Sequence, residues 1–181
     1  MLDLNKFIGI GKLKQNVLDQ LLYFLQDLHL TSKGGDYKHT VIYGPPGTGK
    51  TEVARILGKM YSKIGVLKTN KFVKVTRHDL IAGYLGQTAI KTAKVIEDAK
   101  GGVLFIDEAY SLASSEKEDS FSKECLDTIC ECLSNYKDDL MVIIAGYEEE
   151  LKTTFFRVNK GLESRFISVS YTHLRAHETA S

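Results

Sequence analysis

Net charge, proline, cysteine and long apolar runs are all scarce in this 181-residue chain, and each scarcity removes a class of protein. The 24 Lys and Arg against 23 Asp and Glu leave a formal charge of +1, which argues against a basic nucleic-acid coat and against an acidic disordered tail. With 2 prolines and 15 scattered glycines the chain is neither collagenous nor of low complexity. No uninterrupted apolar run approaches the roughly 20 residues needed to cross a bilayer. The opening MLDLNKFIGIG has neither a basic segment nor a continuous apolar one, so a cytosolic protein without a membrane partner is expected. The three cysteines, Cys125, Cys130 and Cys132, are odd in number and close together, which fits a reducing compartment better than a disulfide framework. What is present, 43% hydrophobic and 26% charged residues, is the composition of an ordinary folded domain with one core.

Leu13, Val17, Leu21 and Leu25 recur every four residues with Leu18 and Leu22 beside them, the spacing of an amphipathic helix. After the polar break TSKGGDYKH, the run HTVIYG reads as a buried strand entering a Gly/Pro loop. A helix from Lys50 to about Ser62, a strand at 72–76, the loop IAGYLGQ and a helix from about Thr88 to Lys100 follow. VLFIDEAY at 103–110 is an apolar strand ending in two acids. Beyond the polar ASSEKEDS, residues Phe121, Cys125, Ile129, Cys132, Leu133 and Tyr136 share one helical face. The strand LMVIIAGY at 140–147, a short helix opened by Glu148, Glu149 and Glu150, and a last strand reaching about Val169 complete the pattern. Continuous apolar strands alternating with helices predict a parallel sheet covered on both faces, a three-layer α/β domain.

The chemistry is carried by GPPGTGKT, spanning Gly44, Pro45, Pro46, Gly47, Thr48, Gly49, Lys50 and Thr51, directly between a strand and a helix. Glycines let the backbone wrap a polyphosphate so that successive N–H groups face its oxygens. Lys50 would meet the β and γ phosphates, Thr51 would give a hydroxyl to Mg2+, and the helix terminus adds its dipole. Asp107 and Glu108, at the end of a strand 57 residues after Lys50, are the expected companions. Asp107 would hold magnesium through water, and Glu108 would act as general base on the attacking water. Together the two motifs make a nucleoside triphosphatase. Both Asn-Lys pairs, Asn70-Lys71 and Asn159-Lys160, lack the Asp of a guanine reader, so ATP is the expected nucleotide. Cys130 and Cys132 would point about 200° apart on a helix, and His173 and His177 have no third ligand near in sequence, so no zinc site is expected.

With these motifs quoted, the chain resembles the core of an AAA+ ATPase, closest to the family of stage V sporulation protein K and the red-type Rubisco activase CbbX. LDLNKFIGIGKLK, GPPGTGKTEVAR, DLIAGYLGQTAIKT, GGVLFIDEAYSL, VIIAGY and NKGLESRF carry the resemblance, over residues 2 to about 167. It implies a P-loop large subdomain over residues 1–169 with a five-stranded parallel sheet of order 5-1-4-3-2. It also implies ATP and Mg2+ as ligands, and a hexameric ring that remodels a protein client by threading it through a central pore. Ile8, Gly9 and Ile10 would lie against the adenine, and Tyr84, Leu85 and Gly86 would line the pore. Arg165 would be the arginine finger offered to a neighbouring subunit, making it catalytic together with Glu108 and Lys50.

The chain departs from that family in three places. Asn159-Lys160-Gly161-Leu162 stands where Asn-Pro-Gly-Leu is usual, and Tyr147 stands where many relatives place a polar γ-phosphate sensor. The sequence also stops 16 residues after Arg165, where a helical lid is expected, and residues 170–181 read as a non-native or disordered tail. Two other readings stay open: a DNA-motor or clamp-loader ATPase, which would want a basic stripe, and a nucleotide-binding interaction module without turnover.

Overall fold

The computed structural model describes residues 38–84, 86–113 and 120–170, together with Gln15, Leu18, Asp19 and Leu22. Five strands form one parallel sheet: β1 (Thr40–Tyr43), β2 (Phe72–Val75), β3 (Val103–Ile106), β4 (Met141–Gly146) and β5 (Ile167–Ser170). Their spatial order is β2-β3-β4-β1-β5, which is the expected 5-1-4-3-2 read from the other edge. The helices are α1 (Lys50–Lys63), α2 (Arg77–Leu80), α3 (Thr88–Ala99) and α4 (Ser120–Asn135), then α5 and α6 (Lys160–Glu163). α5 runs through residues 148–158, its middle turn Leu151–Phe155 wound as a π-helix.

Successive strand residues face opposite sides, so the apolar runs split into two cores. Ile42, Val103, Phe105, Ile143 and Ala145 pack against Val53, Leu57 and Tyr61 of α1. Val41, Leu104, Ile106, Val142 and Ile144 pack on the other face against Ile96 of α3 and Leu126, Ile129 and Leu133 of α4. This double coverage is why the strands read as unbroken hydrophobic runs rather than alternating ones.

The elements match their sequence expectations with small shifts, with one correction: the strand expected to reach Tyr110 stops at Ile106, because Glu108 turns left-handed and Ala109–Leu112 wind into a 3-10 turn. Cys125 and Cys132 are buried on α4 as core residues, Cys130 is half-buried, and all three are free thiols. Tyr136 lies just past the end of α4, where the Lys100 ammonium sits 3.7 Å from its ring centroid. α2 was not expected. It is started by a cap in which the Thr76 N–H and hydroxyl both donate to one Asp79 carboxylate oxygen, at 2.7 and 2.9 Å, while the Asp79 N–H donates to the Thr76 carbonyl at 3.1 Å. The two bonds from Thr76 hold the Asp79 carboxyl below its ordinary value. Of the opening helix, Gln15, Leu18, Asp19 and Leu22 are helical, with Gln15 donating to Asp19 at 2.9 Å. Among the described residues no helix is long and apolar enough to cross a membrane.

Candidate functional site

The carboxyl ends of β1, β3 and β4 meet the start of α1 in a cleft of about 380 Å³ lined by the phosphate loop, Asp107, Glu108, Tyr110 and Tyr147. Gly47 and Gly49 have φ of 74° and 82°, left-handed values that a side chain would oppose, and they turn the chain back into α1. The loop is braced from within by the Thr48 hydroxyl, which donates to the Pro45 carbonyl at 2.8 Å. Lys50 donates to the carbonyls of Gly44 (2.8 Å) and Pro45 (2.6 Å), so its ammonium is already curled over the loop. Burial pushes its pKa below the ordinary value, opposed by the charges of Asp107 and Glu108. α1 has 14 residues, and its first backbone N–H groups have no intrahelical acceptors, which makes this end an anion site.

Facing the loop, Asp107 and Glu108 follow β3 directly. Glu108 is alone among the described non-glycine residues in having a positive φ, 49°. Such a backbone costs about 1 kcal/mol or more and persists where the surroundings impose it. Here the Asp107 N–H donates to the Val75 carbonyl (3.2 Å), and the Ser111 N–H to the Glu108 carbonyl (2.8 Å), so the bend is pinned on both sides. Asp107 is paired with Lys74 of β2 at 2.9 Å.

Thr51 and Asp107 line the same cleft, and a hydroxyl with a carboxylate is a hard-oxygen donor set of the kind magnesium takes. They are the residues that would hold that ion, which when bound offsets charge on the phosphate oxygens. Among the described residues there is no cluster of three or more His, Cys, Asp or Glu able to bind another metal.

Two residues at this site have no counterpart among the sequence expectations, Tyr110 in the cleft and Lys74 beside it. The Tyr110 hydroxyl is engaged by Glu108, and burial together with the Glu108 charge raises its pKa. Its ring lies 6.2 Å from that of Tyr147 and rests on Gly146, where an added Cβ would stand 2.9 Å from Tyr110 Cδ1. The only sequence signal for Lys74 is a lysine on a strand face otherwise made of Phe72 and apolar neighbours.

Residues 40–172 match the family described as ATPases associated with various cellular activities. The chain belongs to the AAA ATPase family. This AAA domain is 44% identical to a putative cfxQ-like protein of Acanthamoeba polyphaga mimivirus, over 92% of the chain and 40% of the relative. It is 40% identical to the ESX-1 secretion system protein EccA1 of Mycobacterium tuberculosis H37Rv, over 91% of the chain and 30% of the relative. To the ESX-3 secretion system protein EccA3 of the same strain it is 37% identical, over 98% and 29%. The chain therefore spans less than half the length of these curated relatives.

The other expected residues of the AAA domain lie outside the cleft. Tyr84 is 75% exposed on the loop between α2 and α3. That loop is fastened at its base: the Ala82 N–H donates to Thr88 (3.2 Å), Thr92 to the Leu80 carbonyl (2.9 Å) and Lys91 to the Ile81 carbonyl (3.1 Å). Gly86, with φ of 78°, turns the chain toward α3, and Leu85 lies outside the described residues. Arg165 sits two residues before β5, at the end of the sheet opposite the phosphate loop. Its Nε donates to Ser134 at 3.0 Å and its Nη1 to the Gly161 carbonyl. Ile8, Gly9, Ile10, His173, His177 and residues 171–181 of the expected tail lie outside the described residues.

Proposed function

We propose that the chain binds ATP with Mg2+ in the cleft between the phosphate loop and β3, and hydrolyses it with Glu108 as the general base. The observation that carries this reading is the convergence of Lys50 and Thr51 at the start of α1 with Asp107 and Glu108 at the end of β3 on one cleft. Lys50 and the α1 terminus bind the phosphates, Thr51 and Asp107 hold the metal, and Glu108 takes a proton from water. Because Arg165 is carried at the far end of the sheet, it serves a neighbour's site and not its own. Rings of copies, hexamers as the sporulation protein K and CbbX resemblance implies, bring the two ends together. Within the ring Tyr84, Leu85 and Gly86 grip a protein client at the pore. The near-neutral charge and the naming of the mycobacterial relatives as secretion-system proteins both favour a protein client over nucleic acid. Residues 1–169 form the large subdomain of such a protein.

Glu108→Gln tests the central step. Magnesium-dependent ATP binding by calorimetry is expected to match the parent, while hydrolysis falls roughly 10²- to 10⁴-fold, the usual contribution of a general base. Turnover at the parent rate would refute the assignment.

A further inference from the structure

We propose that Lys74 is a stand-in cation for Asp107: it neutralises this carboxylate when no metal is bound, and so sets how strongly nucleotide binding depends on the divalent ion. The proposal rests on the reading above in which Thr51 and Asp107 hold magnesium.

The arrangement follows from strand register. Lys74 on β2 pairs with Phe105 on β3, and Asp107 lies two residues beyond Phe105, on the same side of the sheet. The Lys74 stem passes the Phe105 ring, with Nζ 5.8 Å from its centroid, and the ammonium reaches Asp107 Oδ2 at 2.9 Å. Lys50, the other cation near Asp107, is directed to the carbonyls of Gly44 and Pro45. The side chains of Lys74 and Asp107 are 43% and 27% exposed, so an arriving ion can reach the carboxylate without unpacking the core.

The charges give this pair opposite effects with and without metal. Among the described residues the cleft is lined by Glu52, Asp107 and Glu108 against one cation, Lys50. A nucleotide entering without a cation meets that negative excess, and Lys74 offsets part of it. Once a divalent ion is present, the same ammonium competes with it for Asp107. An ordinary surface ion pair on an edge strand would do neither, and its loss would be felt equally in both conditions.

The test is calorimetric titration of ADP, which avoids turnover, into this chain in EDTA and in magnesium, for the parent and for Lys74→Met, Lys74→Gln and Lys74→Arg. Methionine retains the stem over Phe105, and glutamine supplies a second neutral variant should methionine disturb the strand. Removing one unit charge at this range is expected to weaken metal-free ADP binding roughly threefold to tenfold. The gain in affinity on adding magnesium should grow by a similar factor. Lys74→Arg should behave as the parent in both conditions. Equal changes with and without metal, or none, would overturn the proposal. Asp107→Asn separates the two levels. If it leaves the magnesium gain intact, the metal assignment itself falls. If it removes the gain while the neutral Lys74 variants leave it unchanged, only the role of Lys74 falls.

Discussion

The backbone N–H of Gly44 donates to the carbonyl of Gly146 at 3.1 Å, joining the first residue of the phosphate loop to the last residue of β4. The other side of Gly146 carries the Tyr110 ring, and Tyr110 engages Glu108. One glycine thus lies between the nucleotide loop and the proposed base.

A methyl group at Gly146 would meet Tyr110 Cδ1 at 2.9 Å and Leu151 Cδ1 at 3.2 Å. Gly146→Ala is expected to cost about 1–3 kcal/mol by overpacking, lowering Tm by roughly 3–10 °C. It should also slow turnover by moving Tyr110 away from Glu108. Thermal melting and ATPase assays check both effects, and an unchanged Tm would show that Tyr110 swings aside freely.

Lys50→Ala should abolish ATP binding and leave the fold intact, since its ammonium bonds only loop carbonyls among the contacts described above and supports no core side chain. Calorimetry with ATP, alongside circular dichroism, distinguishes this from unfolding.

In the assembled ring, Arg165→Ala should bind ATP normally and lose turnover by about 10³- to 10⁵-fold, the range known for arginine fingers. Mixing it with Lys50→Ala subunits should restore part of the hydrolysis, because each Lys50→Ala copy still presents Arg165 to a neighbour that holds ATP. Mixed rings without rescue would refute action in trans. Tyr84→Ala, by contrast, should spare hydrolysis and stop client remodelling.

His39 makes stability depend on pH. Its Nδ1 accepts from the Val142 N–H at 3.0 Å, which leaves the proton on Nε2, 3.3 Å from the Leu133 carbonyl. Burial lowers its pKa to about 3, opposed by the Leu133 bond and reinforced by Lys38 and Arg165. Above about pH 6.5 both folded and unfolded forms are neutral. Below it the unfolded chain takes up a proton that the folded chain refuses, so stability is lost as pH falls toward 3, by up to about 1.4 kcal/mol per pH unit. His39→Gln, which can keep both bonds, should flatten the dependence of Tm on pH between 6.5 and 4. An identical slope would exclude His39 as its source.

The phosphate loop and the acid pair were legible because their spacing lies within single strand–turn–helix segments, and the sheet because VLFI and MVIIAG are buried on both faces. α2 carried a readable signal, Thr76 three residues before Asp79, but four residues are too few to show a helical period. Lys74 beside Asp107, Tyr110 on Gly146 and Ser134 under Arg165 were not legible. Each is a contact between residues 31 to 36 positions apart, set by strand order and register and not by local pattern. The left-handed backbone of Glu108 was equally hidden, since glutamate gives no hint of it.

With Arg165 acting on a neighbour's site as proposed, Glu108 beyond the carboxyl end of β3 and Arg165 before the amino end of β5 put the two halves of one site at opposite ends of the subunit. A subunit with a donor surface at one end and an acceptor surface at the other joins its copies head to tail, by a heterologous contact. Such a contact does not terminate at two. It closes as a ring if the repeated rotation returns to its start without translation, and otherwise continues as a helical filament. Any rise between successive subunits would leave one terminal copy with an unfilled site and the other with an unused Arg165, so a planar ring and a shallow spiral differ by one active site per assembly.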